Sequence, residues 1–365
     1  MIQYPDYKNS LVNLTCSILN HYGAEYNHST LPCMDLLLKK NFKNVVVMLF
    51  DGMGVDALNY HLPEESFLRK HMITEFSSVF PPTTTAATTS IESGLTPTEH
   101  GWLGWSLYFS EIDKIVNAFT NVEKGTNEWV ADYHVANHYL PYKTVYEKIR
   151  ETKNAKAYSV SKFGTHYVDT HEALYQEIER LCMSPDKKYI YSYWHEPDSM
   201  MHDEGCYHKS VTKIMKDINK KVEAMCQNLT DTLVIVTADH GHCNLEHYVL
   251  TDYPNLASML KRPVSIETRA ASFHVKTEFL VDFKSEFLEL FGNDFILLSK
   301  AELIEKQLFG DGILHKKVEE FIGDYIAIAI SDKGIVQSPW SSRFKSNHAG
   351  LMDKEMRIPF IAIEL

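Results

Sequence analysis

Two short runs far apart in the chain carry residue types that bind divalent cations. In Asp198-Ser-Met-Met-His202 a carboxylate and an imidazole stand at i and i+4, so one helical turn puts both on one face, within reach of one ion. In Thr237-Ala-Asp239-His240-Gly241 the ligand pair follows the apolar run Leu233-Val-Ile-Val236, which reads as a buried strand ending where polarity begins. Groups at the carboxyl end of such a strand face the crevice of an open α/β sheet. The chemistry that fits is metal-dependent hydrolysis.

Comparable groups occur near both ends of the chain. Asn44-Val-Val-Val-Met-Leu-Phe50 is another apolar, β-branched run, closed at once by Asp51-Gly-Met-Gly54. A third histidine, His348, precedes the apolar segment Ile358-Pro-Phe-Ile-Ala-Ile363. Phe80-Pro-Pro-Thr-Thr-Thr-Ala-Ala-Thr-Thr-Ser90 is unusual for its threonines. They could cap a helix starting near Ala86. Beside a metal site, a hydroxyl at a helix N-terminus could instead be a nucleophile, its alkoxide favoured by the cation and the helix dipole.

The elements that must position these groups follow from periodicity. Strands are expected at 44–50, 156–161, 188–194 and 233–238, with amphipathic helices over 144–150, 173–181 and 211–225. This alternation predicts an α/β fold with a mostly parallel central sheet and helices on both faces. After about residue 250 the rhythm changes to a short strand at 270–275, helices near 278–291 and 301–308, an apolar run at 325–330 and a turn at 332–334. The division expected is a core over 1–255 and 341–365, interrupted by an inserted α+β cap over 256–340.

Composition narrows the partners. A net charge of −12 and a pI near 5.8 argue against nucleic-acid polymers and anionic membrane surfaces. No run approaches the roughly 18 apolar residues of a membrane span, and the N-terminus has no signal-like apolar core, so a cytoplasmic protein is expected. The cysteines Cys16, Cys33, Cys182, Cys206, Cys226 and Cys243 show no paired spacing and read as reduced thiols. Cys243 lies close enough to His240 to be considered as a ligand.

Taken together, Leu49-Phe-Asp51-Gly-Met-Gly54, Phe80-Pro-Pro-Thr-Thr84 with Ser93-Gly-Leu-Thr-Pro-Thr-Glu-His-Gly101, Glu196-Pro-Asp198 with His202, Asp239-His240-Gly241 and His348-Ala-Gly350 resemble the alkaline phosphatase superfamily. Within it the match is to the type I phosphodiesterase/nucleotide pyrophosphatase family. The resemblance implies an alkaline phosphatase-like fold and two divalent ions, zinc in preference to manganese or iron. It places one ion on Asp51, Thr84, Asp239 and His240, and the other on Asp198, His202 and His348. It makes Thr84 the nucleophile, because Thr84 lies ten residues before Gly94 as the nucleophile does in the family. Two in-line displacements through a phospho-threonine would hydrolyse a phosphodiester or a nucleotide pyrophosphate.

Two departures from the family pattern stand out. Met201 occupies a position that is often glycine. The run His100-Gly-Trp-Leu-Gly-Trp-Ser-Leu-Tyr108 lacks an asparagine that binds a phosphoryl oxygen in many relatives, so the contact either comes from backbone N–H groups near Thr84 or is missing.

The substrate expected is a small phosphorylated molecule, such as a nucleotide. Two dications and three carboxylates leave one positive charge, which an ionised Thr84 cancels, and a diester monoanion then suits the site. Neither lysine nor arginine occurs from His71 to Ser110, which disfavours a monoester dianion unless Arg262, Arg269 or Arg343 reaches in. Phosphomonoester hydrolysis is the alternative, and non-catalytic metal binding a more remote one. The aromatic cluster of Trp102, Trp105, Tyr108 and Phe109 reads either as core or as a stacking surface for substrate. His195 and His242, extra histidines near the site, read either as packing or as substrate contacts.

Overall fold

The computed structural model describes residues 1–126, 128–339 and 343–365. Its central sheet has seven strands in the order Met72–Ser77, Arg357–Glu364, Thr232–Thr237, Asn44–Phe50, Lys188–Trp194, Lys156–Ser161 and His166–Tyr167. From Thr232–Thr237 onward the neighbours are parallel, whereas Arg357–Glu364 runs antiparallel to both of its neighbours. Asn44–Phe50 lies in the middle and every residue in it is buried. That is why it reads as continuous apolar sequence rather than as an alternating strand. Helices Val145–Thr152, His171–Cys182 and Lys209–Cys226 match the expected amphipathic segments.

A second sheet corrects the expected organisation. It is antiparallel, in the order Phe295–Ser299, Tyr325–Ala329, Ala270–Phe273, Ser265–Ile266, Ser106–Phe109, Lys114–Asn117 and Val122–Glu123. The stretch 256–340 therefore supplies only part of it, and residues assigned to the first core segment supply the remainder. The junction is the pairing of Ile266 with Ser106, next to Gly104, where a Cβ would lie 2.7 Å from Ile266 Cγ2. The expected turn at 332–334 leads into a strand, Lys333–Val336, parallel to Glu246–Val249. The boundary placed at 340 and 341 lies outside the described residues. Among those described, no helix is long and apolar enough to cross a membrane.

Register brings the site together. Phe50 pairs with Trp194 and Leu49 with Thr237, so the chains leaving these three adjacent parallel strands emerge side by side. They carry Asp51, Asp198 and Asp239 respectively. Gly54 and Gly241 let the first and third of these turns touch: a Cβ on Gly54 would stand 2.5 Å from Gly241 Cα.

Candidate active site

Asp51, Asp239 and His240 form one buried group whose ligand atoms lie within 4.8 Å of one another. Asp239 Oδ1 accepts the N–H groups of Gly52 (3.0 Å) and His240 (2.9 Å), while its Oδ2 is buried without a hydrogen-bond partner. His240 Nδ1 faces its neighbour's carbonyl, Gly241 O (3.1 Å), which directs Nε2 toward Asp51 Oδ1 (3.3 Å) and Asp239 Oδ2 (3.4 Å). Burial, then the charges of Asp239 and Asp198, hold the Asp51 carboxyl well above the ordinary carboxylate range. Such a pair of buried carboxylates with an orphaned oxygen and an oriented imidazole fits a bound dication.

The second group is Asp198, His202, His242 and His348. Helix Asp198–Glu204 confirms the i, i+4 geometry, with His202 Nε2 3.4 Å from Asp198 Oδ1. The Nδ1 atoms of His202 and His348 donate to carbonyls, Ser346 O at 2.8 Å and Pro82 O at 3.1 Å, leaving the lone pair of each Nε2 to act as a ligand. Burial alone would raise Asp198, but His202 and His242 hold it well below the usual range. Asp198 in turn outweighs burial and holds His202 above 6.5, whereas burial pushes His242 down to about 4.

His242 is thus corrected: expected against substrate, it is 2.5 Å from Asp198 Oδ1 and belongs to the ligand cluster. Met201 is buried beneath the Asp51 turn, where a Cβ on Gly52 would meet Met201 Cε at 3.0 Å, and its carbonyl accepts the Ser346 hydroxyl. Cys243 is buried in a short strand opposite Asn347 and stands outside both ligand groups.

Thr84 opens helix Thr84–Ser93, with Thr83 as its N-cap; the helix begins two residues earlier than expected. Thr84 Oγ1 lies 3.3 Å from His240 Nε2 and 3.5 Å from Asp51 Oδ1. Thr83 turns away to donate to Glu267 Oε1 (2.6 Å), which also accepts the Trp105 N–H (2.7 Å). Glu267, which directly follows the second-sheet strand Ser265–Ile266, therefore fixes the start of the Thr84 helix. Its isolation in sequence gave no signal. Neither did Tyr193, whose hydroxyl donates to Asp51 Oδ2 from within an apolar strand.

Two clefts meet at Thr84. One, of about 320 Å³, is lined by Asp51, Trp105, Lys162, His195 and Asp198 among others. The other, of about 330 Å³, follows the Thr84 helix and includes Trp102. Trp102, Trp105 and His195 thus border the site. Tyr108 does not: it bonds Asp113, lies under Arg262 (3.5 Å from ring centroid), and lines neither cleft. The short second-sheet strand Ser106–Phe109 carries it away with Phe109. Arg269 is locked to Glu355 in the core, so of the three arginines only Arg343, stacked on Phe344 against His202, approaches the ligands. Lys162 is a cation the sequence reading passed over.

Comparison with known proteins adds to this geometry. The family profile described as type I phosphodiesterase/nucleotide pyrophosphatase matches residues 45–278. No curated protein sequence matches the chain. Among solved structures, murine ectonucleotide pyrophosphatase/phosphodiesterase 5 superposes with a TM-score of 0.66 at 19% identity, covering 88% of each chain. An inactive threonine-to-alanine variant of it in complex with AMP gives 0.66 at 18%, covering 88% of this chain and 87% of that one. Phosphonoacetate hydrolase from Sinorhizobium meliloti, with phosphonoformate bound, gives 0.61 at 15%, covering 87% and 89%.

Proposed function

Because the chain belongs to the type I phosphodiesterase/nucleotide pyrophosphatase family, whose members hydrolyse phosphoric esters and anhydrides, we propose that it cleaves a phosphodiester or a nucleotide pyrophosphate through Thr84. The observation that carries this reading is the Thr84 hydroxyl at a helix N-terminus, 3.3 Å from His240 Nε2 and 3.5 Å from Asp51 Oδ1. The inactive threonine variant among the structural relatives supports a threonine in that role.

The ligand sets fit two divalent ions, zinc before manganese or iron, held by Asp51, Asp239, His240 and Thr84 and by Asp198, His202 and His348, with His242 a further donor. When bound, such ions lower the pKa of a coordinated hydroxyl and polarise phosphoryl oxygens. The chain supplies the rest. Thr84 Oγ attacks phosphorus, the P–O bond to the leaving group breaks, and a phospho-threonine forms. Water then cleaves the new ester in line and restores the hydroxyl. Glu267 holds Thr83 and Trp105 N–H, and so fixes where the nucleophile's helix begins. Backbone N–H groups at that N-terminus face the developing charge.

Diesters and pyrophosphates are preferred over monoesters because Arg262 and Arg269 are engaged elsewhere, leaving Lys162 and Arg343 at the margins. Comparison of kcat/KM for p-nitrophenyl phosphate, bis-p-nitrophenyl phosphate and a nucleotide pyrophosphate on zinc-loaded protein tests this. Diester or pyrophosphate should exceed monoester by roughly tenfold or more. A monoester preference would instead establish a phosphomonoesterase, and no turnover a metal-binding protein.

A further inference from the structure

The residue that follows the ligand His348 is held in a backbone conformation that residues with a side chain rarely adopt. Ala349 has a φ of 93° and is fully buried between His348 and Gly350. Such a conformation persists only where its surroundings impose it. Here the imposing group is a carboxylate: Glu355 Oε1 accepts the Gly350 N–H at 2.9 Å and Oε2 accepts the Met352 N–H at 3.2 Å. Gly350 leaves no space for a side chain, since a Cβ there would stand 2.9 Å from both Glu355 Oε2 and Arg269 Nη2.

Glu355 is itself held in place. Arg269 grips it through two parallel bonds, Nε to Oε1 at 2.6 Å and Nη2 to Oε2 at 2.7 Å, and neither side chain is exposed. The same guanidinium donates to the carbonyls of Lys333 (2.6 Å) and Ser331 (2.9 Å), which anchors the carboxylate to the segment after the second-sheet strand Tyr325–Ala329. A planar fork of this kind fixes direction as well as distance.

The main chain of Glu355 serves the other ligand group. Its carbonyl accepts the N–H of Gly241, directly after His240, at 2.8 Å, and a Cβ on Gly241 would lie 2.0 Å from Lys354 O. The rings of His240 and His348, one from each group, stack 3.7 Å apart with 20° between their planes. His348 Nδ1 also donates to Pro82 O, two residues before Thr84. One buried residue thus stands behind a histidine of each group.

We infer that Glu355, with Arg269 as its counter-charge, is a positioning residue that sets His348 against His240 and so shapes the ion site His348 shares with Asp198 and His202. The inference rests on the reading that each ligand group binds a divalent ion. A buried ion pair is a weak device for stability, because desolvation offsets its attraction. As a device for orientation it suits a turn that would otherwise relax away from positive φ.

Ion binding tests this apart from turnover. Zinc titrated calorimetrically into the metal-free full chain, against a competing chelator, should show two steps in the wild type, and His348→Ala identifies its own step by weakening it. Glu355→Gln keeps the size of the side chain but turns an amide NH2 toward the donors of Arg269. It should weaken the His348 step by at least about tenfold and the other by less than about threefold. Adding Ala349→Gly to Glu355→Gln should recover at least about threefold at that step, because glycine adopts a φ of 93° without support.

Equal weakening of both steps, as a merely fold-stabilising residue would give, overturns the inference. So does an unchanged His348 step, or no recovery on adding Ala349→Gly. If Glu355→Gln fails to fold, Arg269→Lys decides by the same comparison, since it keeps the charge but cannot make the two parallel bonds: the His348 step should weaken by about threefold or more, and an undisturbed step would overturn the inference. Fewer than two steps in the wild type would count against the two-ion reading, a different outcome.

Discussion

The hydroxyl of Tyr193 is hydrogen-bonded to Oδ2 of Asp51, while Oδ1 of the same carboxylate faces the hydroxyl of Thr84 at 3.5 Å. A buried phenol thus sets the orientation of the carboxylate that faces the Thr84 hydroxyl. Such outer contacts to metal ligands are typically worth 10–100-fold in affinity or activity. Tyr193→Phe should weaken metal binding by about tenfold, measured by competition with a chelating dye, with little change in melting temperature. An unchanged affinity would leave Tyr193 as packing.

The ligand groups titrate in a way that gives metal binding a sign. Asp51 is held well above the carboxylate range by burial and by its neighbouring carboxylates, and Asp198 holds His202 above 6.5 against the effect of burial. At groups whose proton affinity is raised in this way an ion competes with protons, so affinity should fall as pH is lowered from 7.5 to 5.5, with protons released on binding. Isothermal titration in buffers of different ionisation enthalpy counts those protons. Binding that strengthens as pH falls would contradict the assignment.

His100 makes a prediction about stability rather than catalysis. It is fully buried, its Nδ1 accepts the Trp102 N–H at 3.0 Å, and Nε2 pairs with Ser90 Oγ at 3.0 Å. Burial pushes its pKa down to about 3. The folded pKa lies below the unfolded value near 6.5, so the neutral ring's contribution is complete above 6.5 and is lost as pH falls from there toward 3. Stability should drop by roughly 1.4 kcal/mol per pH unit over that window from this group alone. His100→Gln should reduce the slope in urea denaturation series, and an unaltered slope would refute the burial argument.

Glu267 joins the second sheet to the Thr84 helix. Glu267→Ala leaves the Thr83 hydroxyl and the Trp105 N–H without their acceptor. Loss of buried partners of this kind costs roughly 1–3 kcal/mol. Because the disturbed residues flank Thr84 and border the cleft, kcat should fall more than KM rises, by roughly tenfold, in steady-state kinetics. A loss confined to KM would place Glu267 in substrate binding instead.

The two clusters of candidate ligands were legible because their residues follow buried strands or repeat at helical spacing, and both signals are local. Asp51, Asp239 and His240 stand where strands end, and Asp198 and His202 lie one turn apart. What stayed hidden depends on tertiary approach. Tyr193 looks like an ordinary strand residue, and Glu267 and Glu355 look like solitary carboxylates. The second sheet was misread because its strands at 106–109, 114–117 and 122–123 are too short to show a period, and the first of them joins the later strands only through the pairing of Ser106 with Ile266. That error placed Tyr108 at the site beside Trp105, although the strand that begins at Ser106 carries it away.

The account stands or falls on Thr84. Turnover of bis-p-nitrophenyl phosphate by zinc-loaded wild type and Thr84→Ala, with metal content measured on the same samples, is the most direct test. Two ions per wild-type chain are expected, with the variant losing roughly two to four orders of magnitude in kcat while it still binds metal. Undiminished turnover in Thr84→Ala would contradict the phospho-threonine route.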